Sequence, residues 1–278
     1  MLLSNINKII NFTPTGTQTT RNNSLAPLTA DEIIEDVHMA NEIGITLVHL
    51  HARDENLENT YKVEHFSKIV EGVRKHCREL AICVSMSGRN FPKLEQRTEV
   101  LQLKPDMASL TLSSLNFTTG ASINQPEIIL GLIEEMNKWG VVPELECFDT
   151  GMINFAKNLI SKKILNPPYY FNVILGNLYN SQSDISSIAN IKSCLPDNCI
   201  TTIGGIASQQ LRSNIFGLLD FDGIRIGLED NLLFRKGEKA TNIMLLERVR
   251  RIMSELDLDV MTSKEFKNLG YENKINNR

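Results

Sequence analysis

Two histidines, His49 and His51, stand two residues apart in the run Thr46-Leu-Val-His-Leu-His-Ala-Arg-Asp54. On a strand, side chains alternate, so both imidazoles point to one side and can meet a single metal ion. The chain has only 5 histidines, which makes the pairing more than scatter. An H-x-H step alone also fits two hydrogen-bonded histidines of a core. Far along the chain, Arg225-Ile-Gly-Leu-Glu-Asp-Asn231 gathers one cation and two carboxylates. That set can supply a further metal ligand, provided the fold brings the two runs together.

Short apolar runs alternate with helical patterns along the whole length. The strands are expected at Lys8 to Thr15, Thr46 to His51, Ala81 to Met86, Met107 to Leu112, Val142 to Phe148, Tyr169 to Leu175, Cys199 to Ile203 and Gly223 to Leu228. Helices fall between them. The first has Thr29 as N-cap and ends at Gly44, the third covers Lys93 to Leu103, and the fourth begins after Pro126 and ends at Gly140. Eight β-α units in 278 residues suit a single α/β domain, a closed (β/α)8 TIM barrel over residues 1–278. A short capping helix is expected over Thr262 to Tyr271. A doubly wound open sheet would more often show a Gly-rich first turn, and Thr13-Pro-Thr-Gly-Thr17 is not one.

Barrel strands covered by helices should read as almost continuous Val, Ile and Leu. Here one parity is polar: Asn11, Thr13 and Thr15; His49, His51 and Arg53; Ser85 and Ser87; Ser109, Thr111 and Ser113; Glu144 and Glu146; Arg225, Gly227 and Glu229. The opposite parity is apolar and should face the helices. The polar set should then face the barrel axis, where unpaired groups are costly unless they line a site at the strands' C-terminal ends. An interior ion-pair network of Arg225 with Glu144 or Glu146 is the plainer alternative. On closure, strand eight lies beside strand one, with strand two beyond it, so Glu229 can approach His49 and His51. Two His and one Glu form a common zinc set with a position left open. Asp230 faces away on an ideal strand, but a turn at the strand end can bring it back, with Arg225 as its partner. An N-cap is the other reading of Asp230.

The net charge of −4 gives no reason to expect nucleic acid, and no apolar run is long enough for a membrane. The N-terminus lacks the features of a secretory signal. The 5 cysteines show no C-x-x-C spacing and read as reduced, buried, small hydrophobes of a cytoplasmic protein.

With these residues in hand, the chain resembles the β-keto acid cleavage enzymes, the family that includes 3-keto-5-aminohexanoate cleavage enzyme. The carriers are Thr19-Thr-Arg21, Pro27-Leu-Thr29, Val48-His-Leu-His-Ala-Arg-Asp54, Met107-Ala-Ser-Leu110 with Leu115-Asn-Phe117, Pro143-Glu-Leu-Glu146 with Phe148-Asp-Thr-Gly151, Val173-Ile-Leu-Gly176, and Arg225-Ile-Gly-Leu-Glu-Asp-Asn231 followed by Lys236-Gly237 and Thr241-Asn242. The resemblance implies a zinc-bearing barrel, a homotetramer, and a Claisen-type acyl transfer in which a β-keto acid and acetyl-CoA become acetoacetate and a new acyl-CoA. It implies His49, His51 and Glu229 as Zn2+ ligands, and Asp230 as general base oriented by Arg225. Ser85, Ser87, Gly88, Ser109, Thr111 and Glu144 would fall among the substrate contacts.

Departures cluster at the mouth. Gln18 replaces a family Glu that would meet a distal ammonium, which argues against a cationic substrate tail. Ser85-Met-Ser-Gly88, Asn177-Leu-Tyr-Asn180 and Gly205-Ile-Ala-Ser208 replace Gly-rich or Arg-bearing stretches, and Thr111 stands for an Asn. Two competing functions remain open: a CoA-independent metal-dependent lyase or aldolase, and a non-catalytic keto-acid-binding paralogue. A barrel amidohydrolase would need later histidines, and none follows His76.

Overall fold

The computed structural model describes residues 7–275. Eight parallel strands carry the architecture: β1 (Asn7–Phe12), β2 (Leu47–Leu50), β3 (Ala81–Val84), β4 (Met107–Thr111), β5 (Val142–Cys147), β6 (Tyr169–Leu175), β7 (Cys199–Gly205) and β8 (Gly223–Ile226). Each pairs with its sequence neighbour, and β8 pairs back onto β1 through Ile9↔Gly223 and Asn11↔Arg225, which closes the barrel. The helices are α1 (Ala30–Ile43), α2 (Val63–His76), α3 (Leu94–Thr98), α4 (Pro126–Trp139), α5 (Thr150–Ser161), α6 (Ile185–Cys194), α7 (Gln210–Asp220), α8 (Asn242–Glu255) and α9 (Ser263–Asn268). Among the described residues, none is long and apolar enough to cross a membrane.

Local chemistry sets the helix ends. Thr29 accepts from the Glu32 N–H while Glu32 reaches back to the Thr29 N–H, a reciprocal cap on α1. Pro126 occupies the first turn of α4, where its missing N–H costs nothing, and Gly140 ends that helix at φ 68. The expected third helix divides. Its first turn is α-helical, and Glu99–Leu103 tighten into a 3-10 helix, as short helix ends often do.

The apolar strand parity packs outward on the helices, with Ile10, Val48, Ile82, Leu110, Leu145 and Ile224 at or near zero exposure. A second apolar layer fills the barrel's N-terminal end. Ile9, Leu47, Ala81, Met107 and Val142 meet Phe266 of α9 and Tyr271 behind it. The expected capping helix is thus a plug. Thr46 Oγ1 donates to Met261 O, and Tyr271 Oη to Tyr169 O, both at the strands' starting ends. With that end sealed by hydrocarbon, only the C-terminal mouth is left for chemistry.

Candidate active site

Above the plug the lumen turns polar, as the parity predicts. Asn11, His49, Glu144, Asn172 and Arg225 are all at most 1% exposed. His49 ends up centrally because β2 register sets it opposite Cys83 of β3. Its Nδ1 lies 2.7 Å from Glu144 Oε2, across the barrel. That contact assigns a hydrogen to Nδ1 and leaves Nε2 as the ring nitrogen that a metal could take in place of a proton. Nε2 is buried without a hydrogen-bond partner, and so is Glu229 Oε2. His51 Nε2 stands 3.3 Å from Glu229 Oε1. One donor atom from each of His49, His51 and Glu229 lies within 4.8 Å of the others.

These residues fit a metal. Buried polar atoms are seldom left unpaired without a functional reason, and two such atoms from the expected ligand set, His49 Nε2 and Glu229 Oε2, occur together here. A second cluster, His49 with Cys83 and Glu144, is equally compact, but its atoms are already engaged. Glu144 Oε1 accepts from Asn11 and Asn172 at 2.6 and 2.9 Å, and Oε2 accepts from His49 and from the Cys83 thiol. Both oxygens of Glu144 are thus taken up by donors, so it could orient a ligand at His49 more readily than serve as one.

Charge follows the geometry. Burial opposes ionisation of Glu144, but His49, then Arg225, outweigh it and hold the carboxyl down at about 2. Burial would depress His49, yet Glu144 and Glu229 push it up to about 9. Burial also opposes ionisation of Glu229, and Arg225 with the two histidines pulls it well below the usual carboxylate range. His51 is lowered, chiefly by burial.

Strand eight is shorter than its apolar pattern suggests. It stops at Ile226, and Glu229 lies beyond it rather than at its end. The cause is Gly227, at φ 153, where a Cβ would meet Thr13 O at 2.0 Å. The chain turns there, and the Asp230 N–H donates to Gly227 O. Glu229 and Asp230 consequently face one guanidinium despite their adjacent positions. Arg225 Nε donates to Asp230 Oδ2 at 2.8 Å, and Nη2 stands 2.9 Å from Glu229 Oε1. Burial pushes Asp230 above the usual carboxylate range, and Arg225 restrains the rise. Gly204 makes room, since a Cβ there would sit 3.0–3.2 Å from the Arg225 stem.

The other expected contacts divide into two groups. Ser85 and Ser87 are half-buried and line a cleft with His51 and Thr17. Thr111 Oγ1 donates to Glu146 Oε2 at 2.7 Å. Ser109 and Gly88 are buried in support: Ser109 Oγ accepts from the Met86 N–H, and Gly88 packs against Arg97 Nη1. The interior pairing of Arg225 reaches Glu146 at 3.7 Å, while Glu144 goes to His49.

Sequence reading missed Cys83, Tyr170 and Asn172, and named Asn242 only as part of the Thr241-Asn242 step. Cys83 reads from the sequence as a reduced, small buried hydrophobe, yet its thiol donates to Glu144 at 3.2 Å. Nor are all the cysteines buried, because Cys194 and Cys199 are only half-buried. Tyr170 Oη accepts from Asn11 and pairs with Thr202. The signal available was Asn172, polar within an otherwise apolar strand.

The amino-acid sequence from residue 7 to residue 270 matches the family described as beta-keto acid cleavage enzyme. The chain belongs to that family. Among relatives of this beta-keto acid cleavage enzyme family member, the 3-oxoadipate:acetyl-CoA acetyltransferase of Cupriavidus necator is 32% identical over 247 residues, 87% of this chain and 86% of that one. The 3-keto-5-aminohexanoate cleavage enzyme of Acetoanaerobium sticklandii is 28% identical over 249 residues, 89% and 91% of the two chains. The solved apo structure of ObcA superposes with a TM-score of 0.75 at 19% identity, covering 89% of this chain. This chain spans 66% of that one, just under two thirds of its length, and the likeness supports the fold.

Proposed function

We propose that the protein is a zinc-dependent β-keto acid cleavage enzyme, transferring between a β-keto acid and acetyl-CoA to give acetoacetate and an acyl-CoA. The observation that carries this reading is the convergence of ligand atoms from His49, His51 and Glu229 within 4.8 Å of one another, beside a buried, Arg-held carboxylate. His49, His51 and Glu229 would hold the zinc. When bound, the cation stabilises negative charge developing on the substrate's keto oxygen, which acidifies the neighbouring carbon.

The chain's own groups do the rest. Asp230 takes the proton from the carbon between the carboxylate and the ketone, and its raised proton affinity suits a base. Arg225 holds Asp230 in place with two donors and favours its ionised form against the effect of burial. The carbanion attacks the acetyl carbonyl of acetyl-CoA, and the CoA thiolate leaves. The thiolate then adds to the original ketone carbon, the old carbon–carbon bond breaks to release acyl-CoA, and the acetoacetate carbanion takes back the proton held by Asp230. Ser85, Ser87 and Thr111 orient the substrate, while Ser109 and Gly88 shape the loop that carries the serines. Glu144 orients His49. The resemblance implies a homotetramer, the scattered cysteines suit a cytoplasmic protein, and the whole chain is read as one unit.

The test is acetoacetate formation by zinc-analysed protein, with and without acetyl-CoA. Expected are stoichiometric zinc, strict dependence on acetyl-CoA, and a loss of at least about 100-fold in kcat in Asp230→Asn with zinc retained. Turnover that ignores acetyl-CoA would move the protein to the lyase reading.

A further inference from the structure

The loop leaving β3 turns a cation into the mouth. The Arg89 guanidinium carbon lies 3.7 Å from the centre of the Phe117 ring, and Nη1 donates to Thr17 Oγ1 at 3.0 Å. Thr17 follows β1 and Phe117 follows β4, so Arg89 spans the open end of the barrel rather than its outer wall. It lies within the field of Glu229 and Glu146. Both of those carboxylates are engaged elsewhere, Glu229 with Arg225 and His51, and Glu146 with Thr111 and Arg225. Among the described residues, Arg89 has no carboxylate partner of its own. The residue after Thr17 is the uncharged Gln18.

A guanidinium carries five N–H donors in a planar fork that matches a carboxylate. Arg89 spends one on Thr17, and the ring covers one face, which leaves donor edges free. The loop beneath is tied down. The Arg97 side chain, 2% exposed, donates Nε to Met86 O at 2.7 Å. The Met86 N–H reaches Ser109 Oγ, and the Arg89 N–H reaches Ser87 Oγ. Arg89 is therefore a placed charge, four residues outward from Ser85, which lines the cleft beside His51.

We infer that Arg89 binds a carboxylate at the far end of the substrate, so that the preferred substrates are β-keto diacids. The inference rests on the β-keto acid reading of the same site. The end shared by all β-keto acids goes to the metal ligands and the serines, and the variable end reaches outward to Arg89. A charged pair in such a part-buried place contributes through binding, so the effect should fall mainly on KM.

The experiment compares 3-oxoadipate with 3-oxohexanoate, two six-carbon β-keto acids that differ in the terminal carboxylate, each with acetyl-CoA and zinc-loaded protein. The wild type should favour the diacid at least tenfold in kcat/KM. Arg89→Gln should lower the diacid value roughly 10- to 100-fold more than the monoacid value, and Arg89→Lys should keep part of the preference. Arg89→Glu should gain on 5-amino-3-oxohexanoate, an outcome no folding defect imitates. Calorimetry with adipate, which cannot react, gives a second readout. Adipate binding lost in Arg89→Gln, without turnover of any β-keto acid, would support the anion site while overturning the catalytic reading. Turnover without a diacid preference, or equal losses on both acids in Arg89→Gln, would overturn the role assigned to Arg89.

Discussion

Glu144 shows how one buried side chain can orient the imidazole it sits behind. Its two oxygens accept from four groups, and it is wholly buried. Only a carboxylate can do this, because every neighbour is a donor. In Glu144→Gln the new amide N–H groups would face either His49 Nδ1–H or the two asparagine donors. The imidazole then loses both its fixed tautomer and the charge that raises its basicity. Zinc affinity should fall about 10- to 100-fold while the fold persists, as measured by competition with a calibrated chelator. Unchanged affinity would mean that His49 is oriented by packing alone. At this scale His49 and His51 were legible because period-two spacing is a geometric fact of strands. The partner of His49 was not, because Glu144 is 95 residues away and meets it only across a closed barrel. Cys83 and Tyr170 looked like core residues, and are core residues, but their polar atoms face inward.

Between elements, Asn242 is the junction that holds the end of β8. Its Oδ1 accepts from the Leu228 N–H, next to Glu229, and its Nδ2 donates to Pro14 O and to Asp36 Oδ2. One amide thus ties α8 to the segments following β8 and β1, and to α1. Asp36 pays for that position: burial raises it from 3.8 to about 6, against the opposing bond from Asn242. Between those pH values the folded protein keeps a proton that the unfolded chain has released. Stability from this group therefore falls as pH rises through the window and stays lower above it, by roughly 1–3 kcal/mol. Asp36→Asn keeps an acceptor for Asn242 and removes the titration. Its stability relative to wild type should rise from pH 4 to pH 7 by that amount, measured by urea unfolding at each pH. A difference independent of pH would show that Asp36 ionises normally. The elements themselves were readable to within a few residues, because caps such as Thr29, Pro126 and Gly140 are local chemistry. The early stop of β8 was not, because it depends on how closely Gly227 passes Thr13 O.

For the whole molecule, eight strand–helix alternations with one polar parity left little choice but a barrel with a wet interior, and closure followed from the count. The sequence did not reveal which end is sealed, because that depends on Phe266 and Tyr271 stacking together beneath the strands. Closure has an energetic consequence. The proposed ligands come from both sides of the seam, His49 and His51 from β2 and the segment after it, Glu229 from the turn after β8, with β1 between. A metal held by all three would bind the closed barrel and not the unfolded chain. At free zinc one hundred times Kd, linkage gives about 2.7 kcal/mol of added stability, or a few degrees in Tm. Chelation should remove that increment, and Glu229→Gln should show a much smaller response to zinc. Amide hydrogen exchange should slow most along β8, β1 and β2, and least along β4 to β6, where no proposed ligand arises. Zinc protection spread evenly over the barrel would mean that the ion stabilises the fold globally without fastening this seam, and a Tm indifferent to zinc would remove Glu229 from the ligand set.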